Sequence, residues 1–165
     1  MSSITASEAK AALLAIEADV GVDHTANGGV YDLSGVDAVR IGRFLAPVAG
    51  APFVWIAPPG VATVNQDGPP LGHYAYDITF DLGGFVSAAD STVRSRALAA
   101  LDLMNDVTAA IQCSGRDAGT LATVPGFRDV TVEGFAMDGD EHNLAPGYGF
   151  FFAIARVRVH RRRGI

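Results

Sequence analysis

The sequence predicts an α+β fold: an antiparallel or mixed sheet of four to five strands packed against one long and one shorter α-helix. Three observations carry this. Tyr74 to Leu82 alternates strictly, with Tyr74, Tyr76, Ile78, Phe80 and Leu82 on one face and Ala75, Asp77, Thr79 and Asp81 on the other, the period of a half-buried strand. Val93, Ala97, Leu98, Leu101, Met104, Val107, Thr108 and Ile111 recur at three- and four-residue steps, an amphipathic helix. Phe150 to His160 alternates over eleven residues, a long strand that keeps Phe151, Ala153, Ala155, Val157 and Val159 together.

The elements follow in order. Thr5-Ala-Ser-Glu8 has capping-box spacing, with Thr5 placed to accept from the Glu8 amide. A helix from Ala6 to Val20 then buries Ala9, Leu13, Ile16 and Val20, and Gly21 stops it. Asn27-Gly28-Gly29 reads as a turn, Asp32 to Asp37 as an acidic loop, and Ala38 to Phe44 as a short strand. Phe53 to Ala57 is continuously apolar between prolines, which reads as a strand buried on both faces. Gly60 to Gly72 reads as an exposed polar loop.

Gly83-Gly84 reads as a tight turn that joins the strand ending at Leu82 to the long helix, with Ser87 or Asp90 as N-cap. From Asp90 to Ile111, at roughly 1.5 Å per residue, the helix spans about 33 Å. Arg94, Arg96, Asp102, Asn105 and Asp106 fall off its apolar stripe. Thr120 to Val124 reads as a short strand before the Pro125-Gly126 turn. Asp129 to Met137 alternates again, with Val130, Val132, Gly134 and Ala136 opposite Thr131, Glu133, Phe135 and Met137.

The 165 residues read as one domain, 1–165, with a basic strand end at 156–163. Apolar residues make up 49% and charged residues 18%, enough apolar content for a packed core. No stretch has the form of a signal peptide or a bilayer span. The single cysteine, Cys113, excludes an internal disulfide and a multi-cysteine zinc site.

Charge is unevenly placed. Residues 1–154 hold all 18 acids and seven bases, whereas the last eleven hold five arginines and no acid. A basic end on an acidic body points to an acidic partner surface, nucleic acid, or self-association. Arginine suits bidentate pairing with carboxylate or phosphate. Alternation sets Arg156, Arg158 and His160 on one face of ordered strand, beyond Phe150, Phe152 and Ile154. That strand is overlong, which puts its second half at a subunit edge or against a neighbour; Arg161, Arg162 and Arg163 extend the same contact surface, with a frayed, soluble end as the bland alternative.

Catalytic motifs are missing from the sequence: no nucleophile elbow, H-E-x-x-H pair, phosphate-loop lysine or dinucleotide glycine fingerprint. Catalytic, cofactor and metal residues are therefore expected to be none. Asp138, Asp140, Glu141 and His142 could ligate a cation, but their spacing matches no calcium loop and reads as a solvated hairpin. Cys113 reads as a small, half-buried core residue. Asp77 and Asp81 read as the wet face of a sheet, exposed for contact with a neighbour.

The order of elements resembles the tail terminator, or tail completion, proteins of long-tailed bacteriophages. It runs helix 6–20, apolar strand 53–57, strand 74–82, long helix 90–111, strand 130–137, and a final strand ending in alternating arginines. The resemblance implies helices packed on an antiparallel sheet and a homo-oligomeric ring, usually a hexamer. Such a ring caps the tail tube, ends its polymerisation and docks the head–tail connector, in a virion assembled in host cytoplasm. It brings no catalytic residue.

Genomic DNA would pass through the lumen unrecognised, and an acidic lining lets phosphate slide where a basic one would hold it. Asp67, Asp138, Asp140 and Glu141 are the expected channel residues, and the arginines are expected to face neighbouring subunits. Another neck, connector or tail tube component is the nearest alternative. A small-ligand domain or enzyme built around Trp55, Tyr74, Tyr76 and the 138–142 loop belongs to a different class. A nucleic-acid binder is disfavoured, because no aromatics interleave with the arginines.

Overall fold

The computed structural model describes residues 4–44, 52–63, 73–88, 92–116, 119–138 and 147–162. Helix α1 runs Ile4–Val20 and α2 runs Val93–Ser114; the strands are β1 Val39–Ile41, β2 Phe53–Ile56, β3 Gly60–Thr63, β4 His73–Val86, β5 Phe127–Asp138 and β6 Gly149–Arg162. The class is α+β, with one mixed sheet, one long helix and one shorter one. Across the sheet the order is β1-β2-β4-β6-β5. β1 runs parallel to β2, and the other pairings are antiparallel. β2 pairs with residues 82–85 of β4 and β3 with residues 76–79, so two short strands share one side of β4.

Both helices lie on one face. Ile78, Phe80, Leu82 and Val86 of β4 and Phe151, Ala153, Ala155, Val157 and Val159 of β6 are buried there with Ile16, Val20, Leu103, Val107 and Ile111 of the helices. The alternation in these strands is thus a true division between a helix-covered face and an opposite one that is open in part. Small residues let α2 approach closely. A β-carbon at Gly149 would meet the Arg96 carbonyl oxygen at 2.1 Å, and one at Gly134 would meet Ala153 at 2.9 Å and Met104 at 3.1 Å.

Several expectations are corrected. Gly83-Gly84 is no turn, since β4 continues through both glycines to Val86. A β-carbon on Gly83 would run into Trp55, and one on Gly84 into Phe151; each glycine makes room for a ring on a neighbouring strand. Gly60–Thr63 is strand, paired to β4, while 64–72 lie outside the described residues. Leu121–Thr123 is a 3-10 turn rather than a strand. Thr5 stands inside α1, which begins at Ile4, so it is not the cap.

The cap of α2 is Thr92, whose hydroxyl accepts from the Ser95 amide at 3.1 Å. Ser87 lies before the helix and Asp90 outside the described residues. The buried stripe of α2 is also rotated from its predicted phase. It runs through Arg96, Ala100, Leu103, Asp106, Val107, Ile111 and Ser114, leaving Val93, Leu98 and Leu101 exposed.

The reason is that Asp106 has partners in a distant segment. Its carboxylate accepts from the amides of Val30 at 2.9 Å and Tyr31 at 2.8 Å. That segment is shaped locally by Asp23, which caps the 3-10 turn His24–Asn27, and by Gly28 at φ 84°.

Candidate interaction surface

The open face of the sheet has two ends of opposite character, both set by the pairing of β4 with β6. At one end Phe53, Trp55, Ala57, Phe85 and Phe150 form a buried cluster with Phe44, Met137, Tyr148 and Phe152 against it. Phe53 stacks on Phe85 at 6.0 Å, with planes 5° apart, and Phe44 meets Phe53 edge-on at 5.3 Å. From Trp55 the rings continue to Phe152 at 6.3 Å and to Phe135 at 5.8 Å from Phe152. Here the cluster reaches solvent, with Phe135 50% and Ile154 37% exposed.

At the other end the register sets Asp77 opposite Arg158. Arg158 donates from Nε to Asp77 Oδ1 at 3.0 Å and from Nη2 to Oδ2 at 3.2 Å, a bidentate fork. Those hydrogen bonds, then the charge of Asp77, raise the Arg158 pKa. Arg156 stands 3.9 Å from the same carboxylate, with half its side chain exposed. Asp81 pairs with Arg43.

Asp77, Asp81, Arg156, Arg158 and His160 therefore share the open face, but Asp77 and Asp81 have partners within the chain. β6 also lies inside the sheet, flanked by β4 and β5, so Arg156, Arg158 and His160 are not at a sheet edge. His160 is half-buried, and its amide donates to the Gly126 carbonyl at 2.7 Å. Arg161 and Arg162 are not a frayed end: they complete β6 opposite Tyr74 and His73. Asp138 closes β5 opposite Gly149. Arg163, Asp67, Asp140 and Glu141 lie outside the described residues.

A concavity of about 430 Å³ lies between the end of α1, the 24–27 turn and the end of α2; Asp19, His24, Asp106, Cys113, Ser114 and Thr120 line it. Its polar groups serve the fold. Ser114 donates to Asp19 and accepts from the Leu121 amide at 2.9 Å, while the Thr120 hydroxyl donates to Asp19 at 2.9 Å. His24 donates from Nε2 to the Val20 carbonyl at 2.8 Å. Cys113 is exposed, not half-buried core.

Trp55 and Tyr76 pack on opposite faces of the sheet, so they do not line one pocket. Among the described residues no cluster of His, Cys, Asp and Glu could hold a metal ion, and no helix is long and apolar enough to cross a membrane. Sequence reasoning missed the exposed Leu98 and Leu101 and the buried Asp106. Helical periodicity alone gives the phase of a stripe only when its buried positions are apolar. Neither a known family model nor any curated protein matches the chain.

Proposed function

We propose that the chain is a structural subunit of a bacteriophage neck, forming a homo-oligomeric ring. The ring ends tail tube polymerisation and joins the tube to the head–tail connector. The single observation that carries this reading is the open sheet face, where Phe135 and Ile154 stand in solvent beside Arg156. Large exposed apolar side chains grouped with charge mark an association surface. The order of elements along the chain supports the phage assignment. The acidic excess of residues 1–154 suits a lumen through which DNA slides without being held.

The test is mass in solution with negative-stain imaging, alone and with purified tail tubes. A closed ring, or a cap on tube ends that stops further growth, is the expected result. A strict monomer that leaves tube length unchanged refutes the reading.

A further inference from the structure

Two exposed apolar pairs lie on opposite sides of this layered fold. On the helix side Leu98 and Leu101 are 46% and 40% exposed. Helical spacing sets them with Arg94 and Asn105 on the stripe facing away from the buried Ala100, Leu103 and Val107. On the sheet side stand Phe135 and Ile154. Each pair is flanked by one base and one acid, all four exposed: Arg94 and Asp102 on α2, Arg156 and Glu133 on the sheet. Arg156 is only the second guanidinium at Asp77, whose two oxygens Arg158 already takes.

We infer that the open sheet face of one copy binds the outward stripe of α2 on the next copy. Leu98 and Leu101 lie against Phe135 and Ile154, with Asp102 meeting Arg156 and Arg94 meeting Glu133. A second copy is the occupant that satisfies both patches with one repeated contact. A sheet-to-sheet dimer would cover Phe135 and Ile154 but leave Leu98 and Leu101 in water. The contact joins different surfaces, so it is head to tail, the geometry that closes into a ring where the rotation per copy closes and runs on as a filament where it does not. This inference rests on the ring reading and names its contact.

Cysteine cross-linking tests it in a Cys113→Ser background. Positions 101 and 154 lie on opposite sides of the sheet, so they cannot bridge within one chain. Leu101→Cys with Ile154→Cys, mildly oxidised, is expected to give a ladder of covalent dimers, trimers and higher species. Each single variant is expected to give none. Asp102→Arg or Arg156→Asp alone should weaken association at least tenfold, and the two together should restore most of it.

Dimers from Ile154→Cys alone, or charge reversal without rescue, overturn the contact. Rings or tube caps in which the 101–154 bridge never forms overturn the contact and leave the ring reading standing. A protein that is monomeric throughout and does not bind tubes overturns both. Unchanged thermal unfolding of each variant shows that the fold is intact.

Discussion

The indole of Trp55 lies over Gly83 on the neighbouring strand, so close that a β-carbon on Gly83 would stand 2.4 Å from Cζ2. Trp55 is 2% exposed and packed in the cluster of Phe53, Phe85 and Phe150. Gly83→Ala is therefore expected to cost about 1–3 kcal/mol, as overpacking does in cores. Trp55 is the single tryptophan, so its emission reports the site directly. Lower urea midpoint together with a shifted spectrum is the expected result; an unchanged spectrum and midpoint would show that the ring does not sit on Gly83.

Asp106 and Asp77 give a paired comparison. Asp106 is 8% exposed and holds two backbone amides. Asp106→Ala leaves those amides without an acceptor and should cost about 2–4 kcal/mol. Asp77→Ala removes the partner of Arg158, whose side chain is 41% exposed. Water and salt replace much of that interaction, so the loss should stay under about 1 kcal/mol. Denaturant unfolding of both variants checks the order, and a larger loss for Asp77→Ala would reverse the assignment of which carboxylate the fold depends on.

Tyr31 carries a pH signature. Burial, then the charges of Asp102 and Asp106, raise its phenol above the ordinary 10.0, while its hydroxyl donates to the Ala99 carbonyl at 3.3 Å. The folded state thus binds this proton more tightly than the unfolded state. Its contribution is complete below pH 10 and is lost as pH rises through the raised folded value. Alkaline titration at 295 nm should show a late phase that is absent in Tyr31→Phe, and that variant should lose less stability above pH 10.

Phe135 separates association from folding. It is half exposed and packs its other half on Phe152, so Phe135→Ser should cost the monomer about 1 kcal/mol, half of what a fully buried ring contributes. Sedimentation at rising concentration should nevertheless show weaker self-association. Equal association by both proteins would remove Phe135 from the interface.

Much of this fold was legible because β4 up to Leu82 and β6 from Phe150 to His160 alternate strictly. The faces read for β4, β5 and β6 are the faces observed, since a period of two admits only one division of side chains. Glycine was the less readable residue. Gly83-Gly84 looks like a turn until the ring of Trp55 is placed, and that ring arrives from β2, far back in the chain. The stripe of α2 was misphased for a related reason. Asp106 looks like a solvent residue unless the amides of Val30 and Tyr31, some 75 positions away, are known to meet it. At the open face, alternation showed that the arginines share one side, but the pairing of Asp77 with Arg158 depends on the β4–β6 register.

The strand order also dictates when the molecule can fold. β6 is the last strand described, yet it lies between β4 and β5 and is the sheet partner of both. Until Gly149–Arg162 leaves the ribosome, β4 has one long side unpaired and β5 has no sheet partner. The sheet therefore completes after synthesis of β6, through contacts between segments far apart in sequence, which makes folding slow. In that interval the unpaired edges of β4 and β5 are open to aggregation, and a nascent chain halted before Gly149 is the species a chaperone would have to hold.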